Sequence, residues 1–571
     1  MRSTARTLLG SLLVVGLAAC GGDTATQPQV ACTLASGQLL TLNPGDYLSI
    51  DPATNNGCVR FPANASTKDS VEYLLVPQSA ASAPNDSATF NLISANRLPS
   101  AQLVRVNRAP PPARHRNVAT EFDSFLRHAE QTGFVGMGRP RYPVRAARAP
   151  IAGAAPNCPA SGSLASSLGC MQTFRVCDTV TCATTQQVTA QLVSIGTHIA
   201  FFVDTTAPKN GLTTANLDSL KPTFDTLLYG LDLANFGQPS DLDSNGVVEI
   251  LMTGIVNQLV TKAFCDSVGY VLGFFFGGDL YRGTSFIFNH GEIYYTLVAD
   301  PDSTLSCAHP VATVIRQEPR TFVHELQHMI NFGQHAVVRA GGSEEGWLDE
   351  GLSTYAEELA ADKYLIMGDV PRYNGMLLSG DLFDAYQYLY DPGSSYLMIP
   401  QDDGTIPEIG ASWLFVRYMM DQYGPGLAAK LVQTTLIGSA NITAQTGVDY
   451  HTVLSNWALA NWVSDLSVPG FTANPALQYK SWQFRTVFDT LRNNLLAEGD
   501  SIDFPRPFPL LPKVSAGDSV YIGDKLRSGS AYYWRAVQAP GEGAFAVAFL
   551  SGTNQALPAV VGPRLNVIRI R

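Results

Sequence analysis

Residues 321–358, TFVHELQHMINFGQHAVVRAGGSEEGWLDEGLSTYAEE, constrain this chain more than any other stretch. His324 and His328 are four apart, so on a helix they stand one above the other on the same face. Two imidazoles so placed can reach one metal ion, and Glu325, one step round, can reach a water beside it. Flanking Phe322, Val323, Leu326, Met329 and Ile330 predict a largely buried helix. Burying two imidazoles and a carboxylate without a partner is costly, which argues against histidines that merely pack in a core. Glu350 follows 22 residues after His328, within Trp347-Leu348-Asp349-Glu350-Gly351, and is the natural third ligand. Three protein ligands plus one open position is the coordination of a catalytic zinc.

HELQHMINF followed by WLDEGLSTYAEEL resembles the gluzincin metallopeptidases, in particular the hyicolysin-type secreted bacterial family. The likeness extends through FGQPSDLDSNGVVEILMT, GYVLGFFFGGDLY, the segment Asn289–Val298 and GASWLFVRYMMDQYG, roughly from Cys170 to Val463. It implies His324, His328 and Glu350 as ligands of one catalytic zinc, Glu325 as the catalytic glutamate, and a protein or peptide as substrate. Glu357, two turns beyond Glu350, can face the same site and orient a ligand histidine, or be a surface acid beside Glu358. In relatives a Tyr-x-x-Gly before a downstream helix stabilises the oxyanion. Here that position reads Pro407-Glu408-Ile409-Gly410, leaving Tyr386, Tyr388, Tyr390, Tyr396 and Tyr418 as substitutes.

The beginning of the chain is a targeting segment. Arg2 and Arg6 precede an apolar run, Leu8–Leu17, and Leu17-Ala18-Ala19-Cys20 resembles a bacterial lipoprotein cleavage site; residues 1–20 are the expected signal. A non-lipidated secretory peptide with an incidental cysteine is the alternative. The expectation is an exported lipoprotein held at the cell envelope through lipid on Cys20. No later stretch is apolar for long enough to span a bilayer. Eight cysteines then remain of nine, an even number in an oxidising compartment, so disulfides are expected. Proximity in sequence favours Cys32 with Cys58, Cys158 with Cys170, Cys177 with Cys182, and Cys265 with Cys307. A net charge of −11 gives no reason to expect nucleic acid as a partner.

The expected class is α+β: a gluzincin-like zinc metallopeptidase domain flanked by N-terminal and C-terminal β-rich domains. After a small polar tether at 21–30, short alternating runs over 31–104, such as Val71–Val76, predict an antiparallel β domain. Residues 105–155 form an arginine- and proline-rich linker, in which Arg105–Arg148 holds nine arginines and no lysine. A short amphipathic helix, Asn117–Gln131, fits between its breakers with Phe122, Phe125 and Leu126 on one face. The linker can wrap along the catalytic domain, contact anionic lipid or carry a processing site. The metallopeptidase domain is expected over 156–504. A β-sandwich-like unit is expected over 505–571, from Ser519–Ile522, Tyr532–Val537, Ala544–Leu550 and Leu565–Ile570.

Two softer motifs lie inside the catalytic segment. Asp241-Leu242-Asp243-Ser244-Asn245-Gly246 offers alternate oxygens and a turn glycine, so Asp241, Asp243 and Asn245 are candidate calcium ligands. Position twelve is Met252 rather than a glutamate, and an Asx-rich turn entering a strand explains the same residues. Glu292–Val298 is the candidate edge strand for pairing with an extended peptide, with an internal strand as the alternative. The leading functional expectation is a zinc endopeptidase, which the resemblance to a secreted endopeptidase family implies; nor is a GxMEN-like motif for capturing a free N-terminus present. A catalytically weak, peptidase-like binding or adhesion lipoprotein is the second.

Overall fold

The computed structural model describes residues 32–84, 86–95, 118–134, 139–140, 155–159, 161–281, 287–399, 405–498 and 503–571. The expected signal segment with Cys20, the expected tether and most of the arginine-rich stretch lie outside them. The fold is mixed α+β: three sheets, with most of the helices following the third in the chain.

The two β-rich ends expected as separate units are interleaved in one two-sheet sandwich. One sheet runs in the order Gln38–Leu39, Cys58–Phe61, Phe545–Ser551, Ser87–Ser94, Tyr521–Arg527. The other runs Lys513–Ala516, Trp534–Gln538, Val71–Ser79, Pro563–Arg569, Tyr47–Ile50. Each central strand of the N-terminal region therefore has C-terminal strands on both sides. Val71–Ser79 is buried along its whole length, so neither edge is left for solvent. Phe61 and Phe545 stack with ring centroids 4.5 Å apart, and Arg535 forks onto Glu72 at 2.5 and 3.0 Å. Each half presents regular strand patterns, but the alternation does not say which strand is its neighbour. The sandwich sits on the helix Tyr450–Val463, where the Tyr533 hydroxyl donates to Ala458 O at 2.8 Å.

The third sheet lies in the middle of the chain, in the order Gly273–Phe275, Ile293–Thr296, Val248–Met252, Ile199–Asp204, Thr184–Ile195, with Met171–Cys177 and Arg139–Pro140 also on the last strand. Ile293–Thr296 is internal, parallel to Val248–Met252 on one side and antiparallel to Gly273–Phe275 on the other. The edge is Gly273–Phe275, not the candidate Glu292–Val298. All four residues of Ile293–Thr296 are buried, as suits a strand covered on both faces.

Two long helices pack together against this sheet. The histidine helix, Val311–Phe332, buries Phe322, Val323, Leu326, Met329 and Ile330. The glutamate helix, Gly346–Ile366, is buried along most of its length. Against it lies Ile406–Tyr423, which contains Pro407–Gly410 and ends at Gly424 with φ of 89°. The approach at Gly351 is close: a Cβ there would stand 2.7 Å from Ser412 O. Disulfides join Cys32–Cys58, Cys158–Cys170, Cys177–Cys182 and Cys265–Cys307, the four pairs that proximity favours. Among the described residues no helix is long and apolar enough to cross a membrane.

Candidate metal centre

The histidine and glutamate helices bring His324, His328 and Glu350 face to face. His324 Nε2 and His328 Nε2 are 3.1 Å apart, and the Glu350 oxygens lie 3.6 and 3.5 Å from them. A fourth residue joins them. Asp123, on the helix Val118–Gln131, places Oδ2 3.9 Å from His324 Nε2 and 3.8 Å from His328 Nε2. One ligand atom from each of the four residues lies within 4.8 Å of every other.

The partners behind these groups set their orientation. His324 Nδ1 lies 2.7 Å from Glu357 Oε1, and Arg320 holds the other Glu357 oxygen. His328 Nδ1 lies 2.9 Å from Asp349 Oδ2, while Asn331 Nδ2 donates to Asp349 Oδ1. Each imidazole thus has a carboxylate at Nδ1 and turns Nε2 to the centre, the arrangement that fixes tautomer and basicity in metal sites. Glu325, one step round the helix from His324, accepts from the Phe275 backbone N–H at 2.8 Å, on the edge strand.

Burial pushes the Glu325 carboxyl up to about 8, with the Asp123 charge adding to it and His324 and Arg127 opposing. Burial, then Asp123, drives Glu350 well above its usual range. Asp123 resists the same burial because Arg127 and the two imidazoles hold it well below. Burial lowers the His324 imidazole, but Asp123, Glu350 and Glu357 beside it outweigh this and hold it well above its ordinary value. The two carboxylates offer the negative charge that offsets a divalent cation, and with the two imidazoles they are O and N donors of the kind zinc accepts. Glu350 Oε1 is buried without a hydrogen-bond partner, an orphan that a cation would satisfy. The residues fit the metal.

The cleft over this centre holds about 500 Å³ and is lined by the edge strand Gly273–Phe274, His324, Glu325, Glu350 and Tyr270 among others. None of the five substitute tyrosines lines it. The Tyr386 hydroxyl donates to Arg506 O at 3.0 Å and that of Tyr418 to Ala476 O at 2.7 Å, both elsewhere. Tyr270 does line the cleft, with its hydroxyl 2.9 Å from Gln317 Oε1.

The candidate calcium loop brings the carboxylates of Asp241 and Asp243 together with that of Glu292, with one oxygen from each lying within 4.8 Å of the others. The Asn245 side chain closes the turn, its Oδ1 accepting from Val247 N at 2.8 Å and its Nδ2 donating to Asp243 at 2.9 Å. Glu292 itself accepts from Ser240 Oγ at 2.6 Å and Leu242 N at 3.0 Å. The Asn245 side chain thus follows Asx-turn geometry.

Sequence reasoning missed Asp123 and Asp349. Asp349 sits beside Glu350, and only the helix pairing shows which histidine it meets. Asp123, Arg127 and Glu130 fall at i, i+4 and i+7 on the same side as Phe122 and Leu126, a mixed face that signals burial against something charged.

No known family profile matches the chain. Over 160 residues it is 28% identical to the neutral metalloprotease ShpI of Staphylococcus hyicus, a stretch that covers 27% of this chain. The chain spans about a third (33%) of the length of that curated relative. That likeness supports a metallopeptidase relationship.

Proposed function

We propose that this chain is a zinc-dependent endopeptidase of gluzincin type, of the hyicolysin kind. The observation that carries this reading is the convergence of His324, His328 and Glu350 with Glu325 beside them. His324, His328 and Glu350 would hold one zinc, which when bound supplies a Lewis acid and makes water a nucleophile at neutral pH. Glu325 then serves as the base: one oxygen is held by Phe275 N–H, and the other takes a water proton and passes it to the leaving amine. Glu357 and Asp349 keep the imidazoles turned toward the centre. The edge strand Gly273–Phe275 beside Glu325 suits an extended peptide, since strand addition reads backbone groups rather than particular side chains. We further propose export and a lipid anchor at Cys20, which rest on the N-terminal sequence.

Metal analysis of the purified chain tests the reading, together with casein hydrolysis before and after brief trypsin treatment, with and without a chelator. One zinc per chain and chelator-sensitive hydrolysis support it. A chain that takes up no zinc contradicts it, and one that binds zinc but cleaves nothing after trimming favours a binding or adhesion role.

A further inference from the structure

A catalytic zinc site keeps one position open, whereas four protein ligands close it. Asp123, on a helix that the chain sends in from well upstream, faces the same centre as the three proposed ligands. Its Oδ2 lies 3.8–3.9 Å from both imidazole Nε2 atoms, within the span of about 4 Å that two donors to one ion can reach. Its Oδ1 is buried without a hydrogen-bond partner. The carboxylate is therefore aimed at the centre, with Arg127 on its own helix 3.5 Å from Oδ1.

The same helix also covers the peptide-binding edge. Arg127 Nη2 donates to Phe275 O at 3.0 Å, and Glu130 Oε1 accepts from Gly277 N at 3.2 Å. Phe275 O is a backbone group of the edge strand, of the kind an extended substrate would pair with, and Gly277 N lies just beyond it at the start of the next turn. Phe122 sits edge-on to Phe274 with centroids 5.0 Å apart, and Gln131 Nε2 donates to Glu344 O at 3.2 Å. Arg127 itself is buried between Glu130 at 3.4 Å and Asp349 at 3.7 Å. Metal access and strand pairing are thus blocked by one element.

We infer that Asp123 is a fourth protein ligand of the metal and that the helix Val118–Gln131 holds the full chain in a latent form. This rests on the zinc reading above. Displacing the helix leaves His324, His328 and Glu350 as an open three-ligand site and frees Phe275 O and Gly277 N together. The linker that carries it is thereby an inhibitory segment rather than a passive connection.

The test uses the full chain carrying Glu325→Gln, which prevents self-digestion, loaded with cobalt(II) in place of zinc. Acetohydroxamate, a small bidentate metal ligand, is titrated while the visible absorption bands are followed. A site open in about 1% of molecules binds about 100-fold more weakly than a site always open. Adding Asp123→Ala is expected to strengthen acetohydroxamate binding by at least that factor and to shift the cobalt bands before any ligand is added. Asp123→Asn keeps the size of the side chain and removes its charge; it is expected to do the same, and it carries the test should the alanine variant misfold. Equal affinity and unchanged bands in the parent and the folded variants would overturn the inference while leaving the zinc reading intact. Failure of the parent to take up cobalt would overturn both.

Discussion

Asp349 Oδ2 stands 2.9 Å from His328 Nδ1, one residue before the Glu350 that faces the same imidazole from its other side. A single helical turn thus supplies one carboxylate to each nitrogen of the ring. The Asp349 carboxylate is itself held by Asn331 and by Arg127 at 3.7 Å. Asp349→Asn keeps the shape and removes the charge that orients His328. Zinc affinity is expected to fall by roughly 10- to 100-fold, with the fold retained. Competition against a chromophoric chelator measures this, and an unchanged affinity would show that Asp349 plays no part in holding the ligand.

Glu318 offers a test by pH at a distance from the metal ligands. Its carboxyl lies 2.5 Å from Thr296 Oγ1 and 3.1 Å from the Tyr294 hydroxyl, and burial pushes it up to about 8. Thr296 has one hydroxyl hydrogen and also reaches Leu272 O at 2.9 Å, so a protonated Glu318 can donate to it and satisfy both. Tyr294 faces the same carboxyl, its hydroxyl held well above the usual range by burial. The folded pKa exceeds the ordinary 4.5, so the folded chain holds this proton more tightly than the unfolded one. The stabilisation is full below the unfolded value and is lost as pH rises toward the folded one. Relative to Glu318→Gln, the parent is expected to lose up to about 1.4 kcal/mol per pH unit in that window and to level off above it. Unfolding midpoints of both proteins from pH 5 to 9 measure this; a constant difference contradicts it.

The interleaved sandwich predicts that the two chain ends fold only together. Phe545 stacks on Phe61 across half a thousand residues of sequence, and Phe545→Ala is expected to cost about 3–5 kcal/mol. A chain ending at residue 504 removes the partners of Val71–Ser79 and Ser87–Ser94. Limited proteolysis of that truncated chain is expected to cut within 32–95, where the parent resists. Equal resistance would mean that the N-terminal strands stand alone.

How far the residues alone carry depends on whether a feature is local. The HELQH spacing and Glu350 are readable because both imidazoles lie on one helix, and the glutamate helix follows closely in the chain. The disulfides Cys177–Cys182 and Cys158–Cys170 are short-range and equally legible. Pairing at long range is not. The strands of the sandwich are visible one by one, yet the register Val71↔Gln538 cannot be read from either end. The edge strand is misjudged for the same reason: Gly273–Phe275 precedes Ile293–Thr296 in the chain but lies outside it in the sheet. Asp123 is hidden by its neighbourhood, since an arginine- and proline-rich stretch reads as a connection until the helix within it is seen against the metal centre.

The proposed anchoring rests on the N-terminal sequence and is testable directly. Cys20→Ser is expected to move the protein into the soluble exported fraction, because lipid is the strong membrane attachment proposed. Fractionation of cells expressing both forms measures it. Persistence with the membrane would point instead to the basic stretch Arg105–Arg148.

The central claim is a metal-dependent hydrolysis in which Glu325 moves the proton. Glu325→Gln preserves size and does not touch the proposed ligand set, so zinc content is expected to equal that of the parent. Removing the base is expected to lower turnover by roughly 10²- to 10⁴-fold. The decisive measurement is zinc per chain and casein hydrolysis on the same samples, for parent and Glu325→Gln, each also carrying Asp123→Ala to open the site. Equal zinc with hydrolysis lost in the glutamine form is the result the account predicts. Equal zinc with hydrolysis at the parent rate would contradict it.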